Sequence, residues 1–395
     1  MQSDPGAPTP EGTVPLCVPE IGGNEWKYIK DCLDTNWVSS AGPYVDKFES
    51  VVADFVGAKH AVATVNGTAA IHIALLIAGV QPDEEVLVPT LTFIAPANAI
   101  LYAGAKPVFM DVEESHWQMD PDKVANFLEK ECEFRGDGLV NKGTGRRVRA
   151  IMPVHILGHP CDMDPILELA KKYNLVIVED ATETLGAKYG GRLIGQLGDV
   201  TCFSFNGNKL ITTGGGGMIV TDRADLAERA KYLTTQAKDD AIEYVHDAVG
   251  YNYRLSNIQA AMGVAQVERL AEFIERKKVI AGRYDSAFFE MEEINILPTR
   301  PNTDPVYWLY TVLLSKDTTL EDRKAVVKKL NENGIGARPL WHTLHDLPPY
   351  AGCQAYQIEH AIRLYERGIS LPSSVGLTEA DQDRTIAILK DSVAG

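Results

Sequence analysis

The feature that most limits what this chain can fold into is a regular exchange between two hydrophobic periods. Short runs rich in β-branched residues (His60–Val65, Glu85–Val88, Pro107–Val112, Ala150–Ile156, Leu175–Glu179, Val200–Phe205 and Met218–Thr221) are separated by longer stretches with helical spacing, among them Thr68–Ile77 and Met163–Tyr173. Strands joined through helices cross over in one hand and make a mostly parallel sheet buried on both faces. The expected fold class is therefore α/β, with a mostly parallel seven-stranded sheet flanked by helices. Ligands of such a sheet settle at the carboxyl ends of its strands, so the residues just past each strand are the candidates for chemistry.

Beyond Asn257 the pattern becomes one long helical stretch to about Tyr284, then a polar segment, Pro298 to Pro305. A strand at Trp308–Leu314, a helix near Leu320–Asn333 and a final helix after Thr378 then make a smaller α/β unit. The expected organisation is a flexible arm over residues 1–14, a large domain over 15–265 and a small C-terminal domain over 266–395. One segment breaks the alternation: ECEFRGDGLVNKGTGRRVRA, Glu131 to Ala150, is charged and punctuated by glycine. It reads as a surface hairpin inserted at about 131–149, with Arg146, Arg147 and Arg149 as a solvated charge cluster.

Composition excludes several function classes. A formal charge of -16 argues against a broad grip on nucleic acid or anionic membrane, because either needs a basic surface to replace counterions. The longest apolar run, Ala69 to Val80, contains a histidine and falls short of the roughly 20 residues that a hydrocarbon core requires. The opening MQSDPGAPTPEGTV has neither a basic start nor an apolar stretch, so it does not read as a secretory signal. Six cysteines, without CxxC spacing, suggest neither a zinc site nor a disulfide framework. Reduced thiols in the cytoplasm, and no metal, are the expectation.

The stretch FSFNGNKLITTGGGGMIV, Phe203 to Val220, places Lys209 before four glycines. A P-loop needs its glycines ahead of the lysine and a hydroxyl directly after it, so that reading fails on spacing. A dinucleotide fingerprint fails as well, since no GxGxxG joins a first strand to its helix. A second clue is VIVEDATETLGA, whose apolar strand ends in Glu179-Asp180; an aspartate there is commonly a helix cap or turn residue. A third is VNGTAAIHIALLIAG, where a strand meets an Asn-Gly turn, Thr68 follows, and an apolar helix begins. That start is either plain N-capping or a ready anion site with free N–H groups and a hydroxyl. Together the three describe a site for pyridoxal 5'-phosphate, which needs a lysine for its imine, an acid facing the pyridine nitrogen and a cup for its phosphate.

With these residues the chain resembles the DegT-like nucleotide-sugar aminotransferases of pyridoxal-phosphate fold type I, from about Val14 to the C-terminus. The resemblance is carried in order by NWVSSAGPYVDKFE, VNGTAAIHIAL, PTLTFIAPANAI, PVHILGHPCDMDPI, VEDATETLGA, FSFNGNKLITTGGGGMIV and GYNYRLSNIQAAMG. It implies that Lys209 holds the cofactor as an imine and then shuttles the proton, and that Asp180 pairs with the pyridinium. It implies a phosphate cup of Gly67, Thr68 and Ala69 with the Ser204 hydroxyl, completed by Asn252 from a partner subunit, and hence a homodimer with a shared active site. Phe93 matches the aromatic that stacks on the cofactor ring, although a strand-end phenylalanine is otherwise a core residue. Glu183 stands near the ring oxygen, where many relatives carry glutamine.

In the C-terminal unit, ARPLWHTLHDLPPY resembles the segment lining the sugar pocket, with His345 at the matching histidine and Trp341 nearby. Arg254 and Arg338 are candidates for a nucleotide diphosphate, although scattered arginines are usually surface or ion-pair residues. The insert together with FSFNGNK and LWHTLHDLP resembles the branch acting on UDP-linked 4-keto-6-deoxy-N-acetylhexosamine, on routes to bacillosamine or legionaminic acid. The expected activity is amination of such a 4-keto sugar with L-glutamate as donor, the cofactor passing through pyridoxamine 5'-phosphate. Two alternatives stay open: sugar dehydration, which relatives perform with histidine at the lysine position, and a cofactor-binding regulator without turnover.

Overall fold

The structure, a computed structural model of the 395-residue chain, describes residues 12–240 and 242–393. Of the arm expected over residues 1–14, residues 1–11 lie outside the described residues. Val14 is buried and clipped to the C-terminal unit: its N–H donates to the Gly334 carbonyl and its carbonyl accepts from Gly336, both at 2.8 Å.

Seven strands form the centre of the large sheet: β1 (His60–Thr64), β2 (Glu85–Pro89), β3 (Lys106–Met110), β4 (Arg147–Ile151), β5 (Val176–Asp180), β6 (Val200–Ser204) and β7 (Gly217–Thr221). They lie in the order β1-β7-β6-β5-β4-β2-β3. From β3 to β6 every pairing is parallel; helices lie in the crossovers except between β5 and β6, where a small hairpin, Lys188–Tyr189 paired with Arg192–Leu193, takes their place. No helix separates β6 from β7, so the chain turns straight back and β7 runs antiparallel to both β6 and β1. The loop between β6 and β7 is the one that carries Lys209.

The expected strand Ala150–Ile156 is displaced to Arg147–Ile151. Its start is set early because Val148 and Arg147 pair with Leu139 and Val140 of the inserted hairpin, whose arms are Cys132–Arg135 and Gly138–Asn141. Past Ile151 the regular strand ends, although Val154 still bridges to Asp180 at the end of β5, and the chain then makes a tight turn at Leu157 (φ 62°) and Gly158 (φ 90°). The hairpin extends one flank of the sheet, while Ala355–Tyr356 pairs with β3 and covers its edge, making ten strands in all.

Beneath the carboxyl end of the sheet lies a buried polar brace. Glu179 of β5 accepts from the Gly198 N–H (2.6 Å), the Thr201 hydroxyl (2.8 Å) and His155 Nε2 (3.0 Å). His155 Nδ1 in turn accepts the Cys161 N–H at 3.0 Å, so the imidazole proton sits on Nε2 and points at Glu179. The carboxylate is thus saturated by donors, which is the condition for burying it.

The C-terminal unit is an antiparallel sheet of β8 (Ile294–Ile296), β9 (Tyr310–Leu314), β10 (Arg338–Pro339) and β11 (Gly368–Leu371), in the order β8-β9-β11-β10. Helices Leu320–Glu332 and Glu379–Val393 contribute Leu330 and Leu389 to its core. The long helix Leu270–Phe288 adds Ile280, Ala281 and Tyr284 to that core. Among the described residues, no helix is long and apolar enough to cross a membrane.

The turn at Gly158 brings the two units together. The Val306 N–H donates to the Gly158 carbonyl at 2.9 Å, and a Cβ on Gly158 would lie 2.5 Å from the backbone nitrogen of Trp308. Gly158→Ala meets both a left-handed backbone and an immovable main chain, so it is expected to destabilise the protein by about 2–4 kcal/mol. A urea-unfolding midpoint equal to that of the parent protein would contradict this.

Candidate active site

β1 ends beside Asn66, whose side chain accepts the Ala69 N–H at 2.8 Å and caps the helix Gly67–Ile77. That helix is apolar on nearly every face and buried, so its N-terminus is held fixed at the sheet mouth. The cap has a consequence for the expected phosphate cup: the Ala69 amide is spoken for, which leaves the N–H groups of Gly67 and Thr68 as the turn's outward donors.

β6 ends at Ser204, directly opposite. A Cβ on Gly67 would sit 2.9 Å from Ser204 Cβ, 3.1 Å from Ser204 Oγ and 3.2 Å from Thr182 Cγ2. Only glycine allows helix start, serine and threonine to converge this closely.

β5 ends at Asp180, which is buried, with Oδ1 accepting the Thr182 N–H at 3.0 Å. Burial pushes this carboxyl up, while the Thr182 hydrogen bonds and the charges of Lys209 and His155 pull it back. Two residues past Thr182's neighbour Ala181 stands Glu183, which accepts the Leu157 N–H at 2.7 Å through Oε2 and lies 3.6 Å from Lys209 Nζ through Oε1. Burial drives Glu183 up to about 7, against the opposing pull of Lys209. Lys209 Nζ also lies 3.9 Å from the ring centroid of Trp308, a residue of the lead-in to β9.

These groups surround a cavity of about 300 Å3 between the two units. Of the residues expected from the sequence, Gly67, Thr68, Phe93, Glu183, Ser204, Lys209, Arg338 and Trp341 line it. Phe93 lines the cavity and is 54% accessible. Asp180 lies behind the wall at the end of β5.

The remaining candidates lie elsewhere in the single chain. Asn252 is exposed and pairs with Thr235, and Arg254 bridges to Thr64 with its guanidinium 3.9 Å from Asp46. His345 is turned toward Thr90, with Nδ1 2.8 Å from the hydroxyl, and burial lowers its pKa. Thr182, Asn208, Ser370 and Trp308 line the cavity without having been singled out from the sequence. Thr182 was within reach, lying between Asp180 and Glu183 in DATET; Trp308 reads simply as the start of a strand.

The donor set fits pyridoxal phosphate. A helix start and a hydroxyl make an anion cup that a Cβ would fill, a lysine faces the cavity, and a buried acid stands where a cationic ring nitrogen would favour its ionised form. The chain matches the DegT/DnrJ/EryC1/StrS aminotransferase family over residues 19–390. It belongs to that family. It is 41% identical over 380 residues to the GDP-perosamine synthase of Caulobacter vibrioides, covering 95% of this chain and 97% of the relative. It is 40% identical to the GDP-perosamine synthase of Escherichia coli O157:H7, covering 92% and 94%. Among solved structures it is similar to S. venezuelae DesV, determined in complex with a ketimine intermediate, with a TM-score of 0.83, 31% identity and coverage of 94% and 95%. The chain is accordingly a sugar aminotransferase of the DegT/DnrJ/EryC1/StrS family, and its cofactor is pyridoxal 5'-phosphate.

The raised Glu183 sets a pH dependence. Its folded value stands above the 4.5 of an exposed glutamate, so the cofactor-free folded chain holds this proton more tightly than the unfolded chain, and stability from this group falls as pH rises from about 4.5 to about 7. At pH 8, Glu183→Gln removes a buried charge yet keeps an acceptor for the Leu157 N–H, and is expected to raise the melting temperature by roughly 1–3 °C. At pH 5, where both side chains are neutral, the gain should vanish. An equal gain at both values in thermal scans of cofactor-free protein would contradict the assignment.

Proposed function

We propose that this aminotransferase carries an amino group from L-glutamate to the 4-keto carbon of a nucleotide-linked 6-deoxyhexose, and that the nucleotide is GDP. The single observation that carries the reaction is the convergence of Lys209, Glu183, Gly67, Thr68 and Ser204 on one cavity, with Asp180 behind it. GDP is favoured because relatives matching 92–95% of this chain are named GDP-perosamine synthases; perosamine is a 4-amino-4,6-dideoxyhexose. The likeness to the branch acting on a UDP-linked N-acetylhexosamine rests on a few short motifs and carries less weight.

When bound, pyridoxal phosphate supplies the carbonyl that takes up the donor's amino group and the ring that accepts the electrons of the adjacent carbon. In the proposed assignment the Gly67 and Thr68 amides and the Ser204 hydroxyl hold its phosphate. Asp180 faces the ring nitrogen, and Phe93 covers one face. Lys209 is the amine that holds the cofactor between turnovers and moves the proton once released. Glu183 stands beside that amine, 3.6 Å from it. Arg338 and Trp341, both on the small-domain side, meet the sugar nucleotide.

Asn252 would reach the phosphate of a second copy in a homodimer. The support is its exposure, the buried Nε of Arg254 without a partner among the described residues, and exposed apolar side chains such as Trp26, Trp37, Ile242 and Val249. All six cysteines are free, consistent with a cytoplasmic site of action.

The test supplies glutamate with either GDP-4-keto-6-deoxymannose or UDP-4-keto-6-deoxy-N-acetylglucosamine and measures 2-oxoglutarate. The expected outcome is a kcat/KM at least about tenfold higher for the GDP sugar, since a mismatched polar contact costs more than about 1.4 kcal/mol; the reverse order would restore the UDP sugar. Lys209→Ala should lose turnover and the absorbance of the covalently held cofactor together. No 2-oxoglutarate from any keto sugar would revive dehydration.

A further inference from the structure

Trp308 lies in the lead-in to β9, far in sequence from the loop that carries Lys209, yet both its side chain and its backbone are anchored. Its Nε1–H donates to the carbonyl of Asn208, the residue preceding Lys209, at 2.7 Å. Its own carbonyl accepts from Lys277 Nζ at 2.7 Å and from the Ser373 hydroxyl at 3.3 Å. Lys277 is fully buried on the helix Leu270–Phe288 and also donates to the Ser373 carbonyl. The indole also lies nearly parallel to that of Trp341, with centroids 6.4 Å apart and planes 10° from each other.

The ring so held presents its face to Lys209 Nζ at 3.9 Å, well inside the roughly 6 Å range over which an aromatic quadrupole attracts a cation. The lysine side chain is only 13% exposed, so water screens this attraction weakly. The other neighbour of the amine, Glu183 at 3.6 Å, is driven up to about 7 by burial and surrenders part of its charge near neutrality. The indole does not titrate, and its pull is the same at every pH.

Resting on the reading of Lys209 given above, we infer that the face of Trp308 is the seat of the Lys209 ammonium whenever that amine is not bonded to the cofactor. Trp308 is then a positioning residue: it keeps the released lysine charged, in one place and ready to deliver its proton. Because its backbone is clamped by Lys277 and Ser373, the seat is built by the small-domain side of the cleft.

The experiment uses the full-length protein loaded with pyridoxamine 5'-phosphate, the state in which lysine and cofactor are not joined. Trace labelling with acetic anhydride at pH 7.5, quantified by peptide mass spectrometry against the exposed Lys316, reports how much of Lys209 is the uncharged amine. Trp308→Leu should label at Lys209 roughly 3- to 10-fold faster than the parent protein. Trp308→Phe, similar to leucine in size but retaining a ring face, should stay within about twofold of it. Equal rates in all three proteins would overturn the proposal, as would a phenylalanine variant as fast as the leucine variant, since that marks mere opening of space. Should either variant fold poorly, parent protein made with 5-fluorotryptophan weakens the ring's pull without changing its shape. Its Lys209 labelling should rise about twofold, and an unchanged rate overturns the seat. The two readings fail separately: a Lys209→Ala protein that still aminates the keto sugar overturns the functional assignment, whereas uniform labelling in a protein whose turnover needs Lys209 overturns the seat alone.

Discussion

Two carboxyl groups, Asp180 and Glu183, are buried at and just past the end of one strand, and both feel the charge of Lys209. Neither is comfortable as an anion there, because burial strips its hydration and the nearby positive charges, Lys209 for both and His155 for Asp180, offset that only in part. The site is therefore short of positive charge on this side. It has spare anion-binding capacity on the other, where the helix start at Gly67 meets Ser204. A ligand with a cationic ring nitrogen at one end and a phosphate at the other would relieve both strains at once, which is the ground for proposing that these residues hold pyridoxal phosphate.

The fold supplies each part for a structural reason. Parallel strands β5 and β6 deliver Asp180 and Ser204 to the same edge of the sheet. The tight return from β6 to β7 holds Lys209 over that edge in place of a crossover helix. The Glu179–His155 brace fixes the neighbour of Asp180 from below. The left-handed turn at Leu157 and Gly158 does two jobs, donating an N–H to Glu183 and receiving the backbone of Trp308. Through that turn the C-terminal unit becomes part of the lysine's surroundings.

Much of this was legible in the chain itself. β-branched runs between helical stretches located the strands of the central sheet because burial on both faces demands that composition. The start of β4 was not legible, since Arg147 and Val148 become strand only by pairing with the hairpin before them. Ser204 and Gly67 could be nominated from their places after strands, but Ala69 could not be struck off without seeing the Asn66 side chain on its amide. Trp308 was invisible as a site residue: its meaning depends on packing against a loop about a hundred residues earlier, and no local period encodes that. Arg254 and Asn252 do not line the cavity of this chain, and their place in the sequence does not reveal that.

The chemistry proposed for this site depends on Lys209 as the covalent anchor. Reducing the pyridoxal-phosphate-loaded protein with sodium borohydride and mapping its peptides by mass spectrometry asks this directly. The predicted result is a stable pyridoxyl group on the peptide containing Lys209. A label on another lysine, such as the buried Lys277, or no label on any lysine of a loaded and active protein, would contradict it.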